Sequence, residues 1–178
     1  MIEIYTDGSA APNPGPGGAA AIARDDEKGI VWYWFDYEEN TTNNRMEMKA
    51  LIEALKWARS ENLFAVPIFS DSSYVVNLYN DWMFKWARAG WTRSKGARVE
   101  NLDLVKELYD LSFLCSCEVI KVRGHSGVLD NELCDALASK NTQKLEKLLK
   151  SEDIFKSNEI LEEYYKKSLK ICYNIYMK

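Results

Sequence analysis

The chain has 178 residues, 47% of them hydrophobic and 28% charged, with a formal net charge of −4. That length suits one domain of about 150 residues with a sizeable core, and that composition excludes a mainly disordered chain. The acidic balance excludes a protein that coats nucleic acid over its whole surface, and no apolar run reaches the roughly 18 residues that span a bilayer.

Ile2–Thr6 alternates, is rich in β-formers and reads as the first strand. No basic and apolar leader precedes it, so a secretory signal is not expected and the chain is read as cytoplasmic. From Gly8 to Gly18 glycine and proline dominate, which predicts a loop. Ala19–Arg24 and Gly29–Phe35 then read as two strands joined by Asp25–Lys28, an antiparallel start. A helix is expected from about Asn44, where Met46, Ala50, Leu51, Ala54, Leu55 and Ala58 recur at helical spacing, with Asn43 or Thr42 as its cap. Ala65–Phe69 is short and apolar, the signature of a buried strand, and Ser72–Tyr79 begins another helical pattern.

Between Lys85 and Arg98 the chain carries Lys85, Arg88, Arg93, Lys95 and Arg98 with no acid, with Trp86 and Trp91 interleaved among them and Trp82 just before. Basic residues among aromatics suit a polyanion with stackable faces; the competing reading is a solvated basic face over buried tryptophans. Leu102–Leu111 is a helical pattern, Glu118–Val122 a fifth strand and Asn131–Lys140 a further helix. The predicted class is α/β, a mixed five-stranded sheet with its first three strands antiparallel, flanked by helices.

Residues 1–140 are taken as the main domain and residues 141–178 as a helical C-terminal extension. Thr142–Lys150 and Asn158–Tyr176 are Lys/Glu-rich helical patterns. Leu161, Tyr164, Tyr165, Ser168, Leu169, Cys172 and Ile175 mark one side of the second, and so apolar a stripe needs a cover. The chain's own core is the expected cover, giving a monomer; a second copy, making a dimer through residues 158–176, is the alternative. Seven lysines from Lys144 to Lys170 add a weaker reading of contact with nucleic acid. Cys115, Cys117, Cys134 and Cys172 lack zinc-ligand spacing and are expected to be reduced thiols.

Four carboxylates carry the chemistry. Asp7 and Asp71 each follow an apolar run and are expected at the carboxyl ends of strands, where ligand sites in α/β folds gather. Glu47 falls in the first turns of one helix and Asp135 early in another. Each acid alone is more often a solvated charge, but gathered together they would repel and raise one another's pKa unless cations held them. All-oxygen ligation suits Mg²⁺, with Mn²⁺ as a substitute, and does not suit zinc. A pair of such ions about 4 Å apart supports in-line attack of water on a phosphodiester. His125, the only histidine, lies in a glycine-flanked turn. A lone histidine is usually a surface or packing residue, yet ten positions from Asp135 it could move a proton near neutral pH.

Taken together, Thr6-Asp7-Gly8-Ser9 with Asn13-Pro14-Gly15-Pro16-Gly17-Gly18, then Thr42-Asn43-Asn44-Arg45-Met46-Glu47, then Ser70-Asp71-Ser72-Ser73-Tyr74-Val75, and finally Gly124-His125-Ser126-Gly127 through Asn131-Glu132-Leu133-Cys134-Asp135 resemble, in order, the motifs of the type 1 ribonuclease H family. The resemblance covers about residues 1–140. It implies a ribonuclease H-like fold and an endonuclease that hydrolyses the RNA strand of RNA–DNA hybrids, leaving 5′-phosphate and 3′-hydroxyl ends. It makes Asp7, Glu47, Asp71 and Asp135 ligands of two Mg²⁺ ions and His125 an auxiliary catalytic residue. Residues 81–101, with Trp82, Trp86 and Trp91, are similar to the family's basic protrusion, which holds the DNA strand. Thr42 and Asn101 fall where the family binds a DNA phosphate, and Asn13, Asn43 and Asn44 where it meets the minor groove and RNA 2′-hydroxyls, the groups that distinguish RNA from DNA.

The chain also departs from the family pattern. Ala10 replaces a cysteine common after the Asp-Gly-Ser motif, and Ser73 stands where a longer side chain often reaches substrate. Ala87, Ala89 and Ala97 dilute the protrusion, which implies a weaker, salt-sensitive hold. Two rivals are a hybrid-binding module without catalysis and a nuclease domain cut from a polyprotein; the presence of all four acids speaks against the first, and Met1 directly before the first strand against the second.

Overall fold

The computed structural model describes residues 1–150 and 154–176, with residues 154, 155 and 169–176 described by backbone alone. Five strands form one sheet: β1 (Ile2–Ala10), β2 (Gly15–Asp25), β3 (Gly29–Thr41), β4 (Pro67–Ser70) and β5 (Glu118–Lys121). Their order is β3-β2-β1-β4-β5. The first three pair antiparallel, and β4 joins β1 in parallel through Ile4–Thr6 against Ile68–Ser70. β5 extends the parallel half on the far side of β4. The helices are α1 (Asn43–Ser60), α2 (Ser73–Asn77), α3 (Met83–Arg88), α4 (Leu102–Ser112), α5 (Leu129–Ala138), α6 (Thr142–Leu149) and α7 (Ile154–Tyr176), and a π-helical turn, Leu78–Trp82, joins α2 to α3. Among these residues no helix is long and apolar enough to cross a membrane.

The strands distribute their side chains to two faces by the two-residue period of the pleat. Ile4, Ala21, Ala23, Ile68 and Val119 face one core with Leu51, Leu55, Leu78 and Leu108. Tyr5, Ala20, Ile22 and Phe35 face a second core with Leu133 and Leu137 from α5. Leu145, Leu149, Ile160 and Tyr164 from the extension complete this second core. The apolar side of α7 is therefore covered by the chain's own sheet as far as it is described, and Lys167 donates a hydrogen bond to the Phe35 carbonyl at 2.6 Å. Tyr165 departs from the predicted stripe and is 42% exposed; Leu169, Cys172 and Ile175 lie outside the described side chains. Cys115, Cys117 and Cys134 are buried free thiols.

Several element boundaries differ from the sequence expectation. The stretch 8–18 is not a loop: β1 runs on to Ala10, β2 starts at Gly15, and only residues 11–14 connect them. Its glycines serve close approach. A Cβ on Gly17 would lie 2.5 Å from the Ser9 carbonyl oxygen, and one on Gly18 would lie 2.3 Å from that of Ala138. Asp7 consequently sits inside β1, opposite Ala20, instead of at a strand end. It lies just past the short parallel ladder, which is why it still neighbours Asp71. β3 continues through the mostly polar residues Asp36–Thr41, which lack the continuous apolar run of its first half. Asp135 lies in the second turn of α5, because that helix begins two residues earlier than predicted.

Candidate active site

Three acids meet where β1 and β4 part. Asp7 comes from β1, Glu47 from the second turn of α1, and Asp71 directly follows β4. One carboxylate oxygen from each lies within 4.8 Å of those of the other two. The meeting depends on local chemistry in α1: the Thr42 hydroxyl caps the helix by accepting the Arg45 N–H at 3.3 Å, as side-chain oxygens do at helix starts. It depends equally on Gly8, which lets the turn carrying Met46 and Glu47 rest on β1.

Asp7 and Glu47 are each only 6% exposed. Burial pushes the Asp7 carboxyl up to about 7, with the Asp71 and Asp135 charges adding to the rise and the Gly8 N–H, 2.9 Å from Oδ1, opposing it. Glu47 is pushed well above the usual carboxylate range, again by burial first and then by Asp7 and Asp71. Its Oε2 is buried without a hydrogen-bond partner. A buried acceptor left bare costs on the order of 1–3 kcal/mol, and among the described residues none of these three acids is in an ion pair. Bare, crowded oxygens of this kind fit a hard cation, and the donor set fits Mg²⁺ or Mn²⁺.

The fourth acid is placed differently. Asp135 stands close enough to raise the Asp7 pKa, but its own Oδ2 accepts a 2.6 Å hydrogen bond from the Lys144 ammonium. The same ammonium pairs with Glu132, which it holds below the usual carboxylate range. His125, exposed and with φ of +51°, faces Glu132 and Asp135 within 4.8 Å. Its loop is tied to the other acids, since a Cβ on Gly124 would lie 2.6 Å from Asp71 Oδ2. Glu132 and Lys144 were not expected as site residues. Glu132 could have been found one helical turn before Asp135, whereas Lys144 reaches the site only through the docking of α6.

The residues expected to touch substrate fall into two groups. Asn13, Thr42, Asn43 and Asn44 lie together: the Asn43 N–H donates to Asn13 Oδ1 at 3.2 Å, and Asn43 Oδ1 accepts from the Ala10 N–H. Asn101, in the left-handed conformation at the start of α4, accepts from Arg45, which also grips Asp103 with two hydrogen bonds. Ser73 is exposed at the start of α2. Trp82, Trp86 and Trp91 are half-buried against the first core. Trp82 packs on Tyr74 and Trp86, and Trp91 meets the edge of Tyr109. Lys85 is paired with Asp81 and Arg93 with Glu100, so the basic segment presents less unpaired charge than its composition suggests.

The family described as RNase H matches residues 1–143. The chain belongs to the ribonuclease H family. A ribonuclease H from Caldanaerobacter subterraneus subsp. tengcongensis is 47% identical over 145 residues, covering 81% of this chain and 92% of that protein. Ribonuclease HI from Helicobacter pylori is 43% identical over 145 residues, covering 80% and 94%. Among solved structures, LC9-RNase H1, a type 1 RNase H with the type 2 active-site motif, is similar with a TM-score of 0.68 and 32% identity, over 80% of this chain and 72% of that one. Ribonucleases H cleave the RNA of RNA–DNA hybrids, and the acid cluster lies within the matched residues.

The pKa of Asp7 sets a stability test for this ribonuclease H. Without divalent ions, folded Asp7 keeps its proton up to about pH 7 while the unfolded carboxyl loses it near 3.8. Stability is therefore contributed below about pH 4 and lost as pH rises towards 7. The melting temperature of the wild type minus that of Asp7→Asn is expected to fall across that window in EDTA, and added Mg²⁺ should reverse the fall. A difference that stays flat, or rises, would show that the acids are not crowded as described.

Proposed function

We propose that the protein hydrolyses the RNA strand of RNA–DNA hybrids in a reaction that uses two Mg²⁺ ions, for which Mn²⁺ substitutes, and that leaves 5′-phosphate and 3′-hydroxyl ends. The observation that carries this reading is the meeting of Asp7, Glu47 and Asp71 within 4.8 Å in a chain of the ribonuclease H family. Asp7, Glu47, Asp71 and Asp135 would hold the ions, and the chemistry such a pair supplies is Lewis-acid activation of water and neutralisation of charge developing on the phosphodiester. By holding the ions, these acids would fix the position of the scissile phosphate above the junction of β1 and β4. His125, on its exposed turn, serves proton transfer or product departure.

On the substrate side, Thr42 and Asn101 hold a phosphate of the DNA strand, with Arg45 orienting Asn101. Asn13 and Asn43 each have the side-chain carbonyl oxygen engaged and, with Asn44, offer amide N–H groups to the minor groove and to 2′-hydroxyls. Trp82, Trp86, Trp91 and the basic segment line the DNA side, with Ser73 near the path of the strand. Residues 1–140 are the catalytic unit in this reading, and residues 141–178 an extension that shares its core.

Matched RNA–DNA, RNA–RNA, DNA–DNA and single-ribonucleotide DNA duplexes, incubated with and without Mg²⁺, test the proposal. Cleavage confined to the RNA of the hybrid, and only with the metal, is expected. Binding without products would instead make the protein a hybrid-binding module.

A further inference from the structure

The four acids divide into a set without ion pairs and a paired one. Asp7, Glu47 and Asp71 have no ion-pair partner among the described residues, while Asp135 is already paired with Lys144 at 2.6 Å. Lys144 lies one residue beyond the stretch that matches the family. Its position is built by the extension. Asn141 caps α6 by accepting the Lys144 N–H at 3.0 Å, and Leu145 and Leu149 anchor that helix in the second core. Tyr164 of α7 then braces the start of α6 through Thr142 at 2.9 Å and the Lys140 carbonyl at 3.2 Å. The Lys144 side chain is 25% exposed, and its ammonium sits across both Glu132 and Asp135.

We propose that Lys144 is a tethered cation that competes with a divalent ion for Asp135, so that the two ions bind in unequal steps. This rests on reading the four acids as a divalent-ion site. The first ion meets Asp7, Glu47 and Asp71, where no protein cation has to be displaced and mutual repulsion is relieved. The second must take Asp135 from an ammonium that is already held in place, and it loses the part of the Coulomb attraction that the lysine has satisfied. Glu132 gives the displaced ammonium somewhere to stay, which keeps the exchange local and reversible. The extension thereby sets the divalent concentration at which the site fills.

Stepwise Mn²⁺ binding to the full-length protein, followed by calorimetry and by the electron paramagnetic resonance of free Mn²⁺, tests this without reference to activity. In Lys144→Met the first step is expected to change by less than about 2-fold and the second to tighten by about 10-fold, equivalent to about 1.4 kcal/mol. The metal-free melting temperature of Lys144→Met should fall, because Asp135 and Glu132 lose their counter-charge. Lys144→Arg should keep the weak second step. Glu132→Gln, which leaves Asp135 as the sole anionic partner of the ammonium, should weaken the second step further, and it decides the matter if Lys144→Met does not fold. Two-step binding that ignores these substitutions, or a second step weakened in Lys144→Met, would overturn the role of the lysine alone. Absence of any Mn²⁺ binding in the wild type would overturn both this inference and the divalent-ion reading.

Discussion

Asp7→Asn is expected to reduce cleavage of an RNA–DNA hybrid by about 10³-fold or more while raising the metal-free stability of the protein. The two effects share one cause. Asp7 is buried among like charges, and its carboxyl is pushed up to about 7 by burial and by Asp71 and Asp135. Asparagine keeps the volume and an acceptor for the Gly8 N–H, but removes the charge that the neighbouring carboxylates oppose. Repulsion among the acids in EDTA falls, and so does attraction for a cation. Initial rates on a purified hybrid in Mg²⁺, set beside melting curves in EDTA at neutral pH, measure both quantities. A variant that cleaves at near-normal rate would remove Asp7 from the chemistry. A slow variant that also melted lower would point to a damaged fold.

Gly8→Ala is the second large effect. A Cβ at this position would lie 2.2 Å from the Glu47 nitrogen, 2.3 Å from the Met46 carbonyl carbon and 2.8 Å from the Glu47 Cα. All three are backbone atoms, so no rotamer change relieves the clash, and α1 must lift from β1. Overpacking of this sort costs about 1–3 kcal/mol and occasionally more, and the displaced residue is Glu47 itself. We expect a lower urea midpoint at an unchanged denaturant slope, the mark of altered stability without altered compactness, together with a loss of cleavage greater than the loss of folded protein explains. Unchanged midpoint and rate would mean that α1 does not approach β1 so closely.

Most of the candidate site was legible before the structure, because its residues lie in short motifs whose chemistry is local. Asp71 follows a buried strand as read, Glu47 sits near the start of a helix capped by Thr42, and His125 lies in a glycine-flanked turn. The error at Asp7 came from treating the glycines of 8–18 as turn formers, when Gly17 and Gly18 pack against backbone and the strands run through them. The tryptophans show the opposite limit. Their spacing among basic residues suggested stacking surfaces, yet part of each ring is spent on Tyr74, Tyr109 or another tryptophan. Lys144 was beyond reach, since its contact with Asp135 exists only after α6 and α7 have docked, and nothing in its immediate sequence separates it from the other lysines of the extension.

The parallel ladder between β1 and β4, only three residue pairs long, also bears on how the protein is made. A ribosome releases Asp7 and Glu47 early, but Asp71 joins them only when β4 has emerged and found β1 across the whole antiparallel hairpin and α1. Asp135 and Lys144 follow later still. Contacts so distant in sequence close slowly, and a nascent chain that stops short of β4 carries two of the acids with no third to complete the cluster. A copy that stops before β4 therefore cannot bring Asp7, Glu47 and Asp71 together, and one that stops before α5 lacks Asp135 as well.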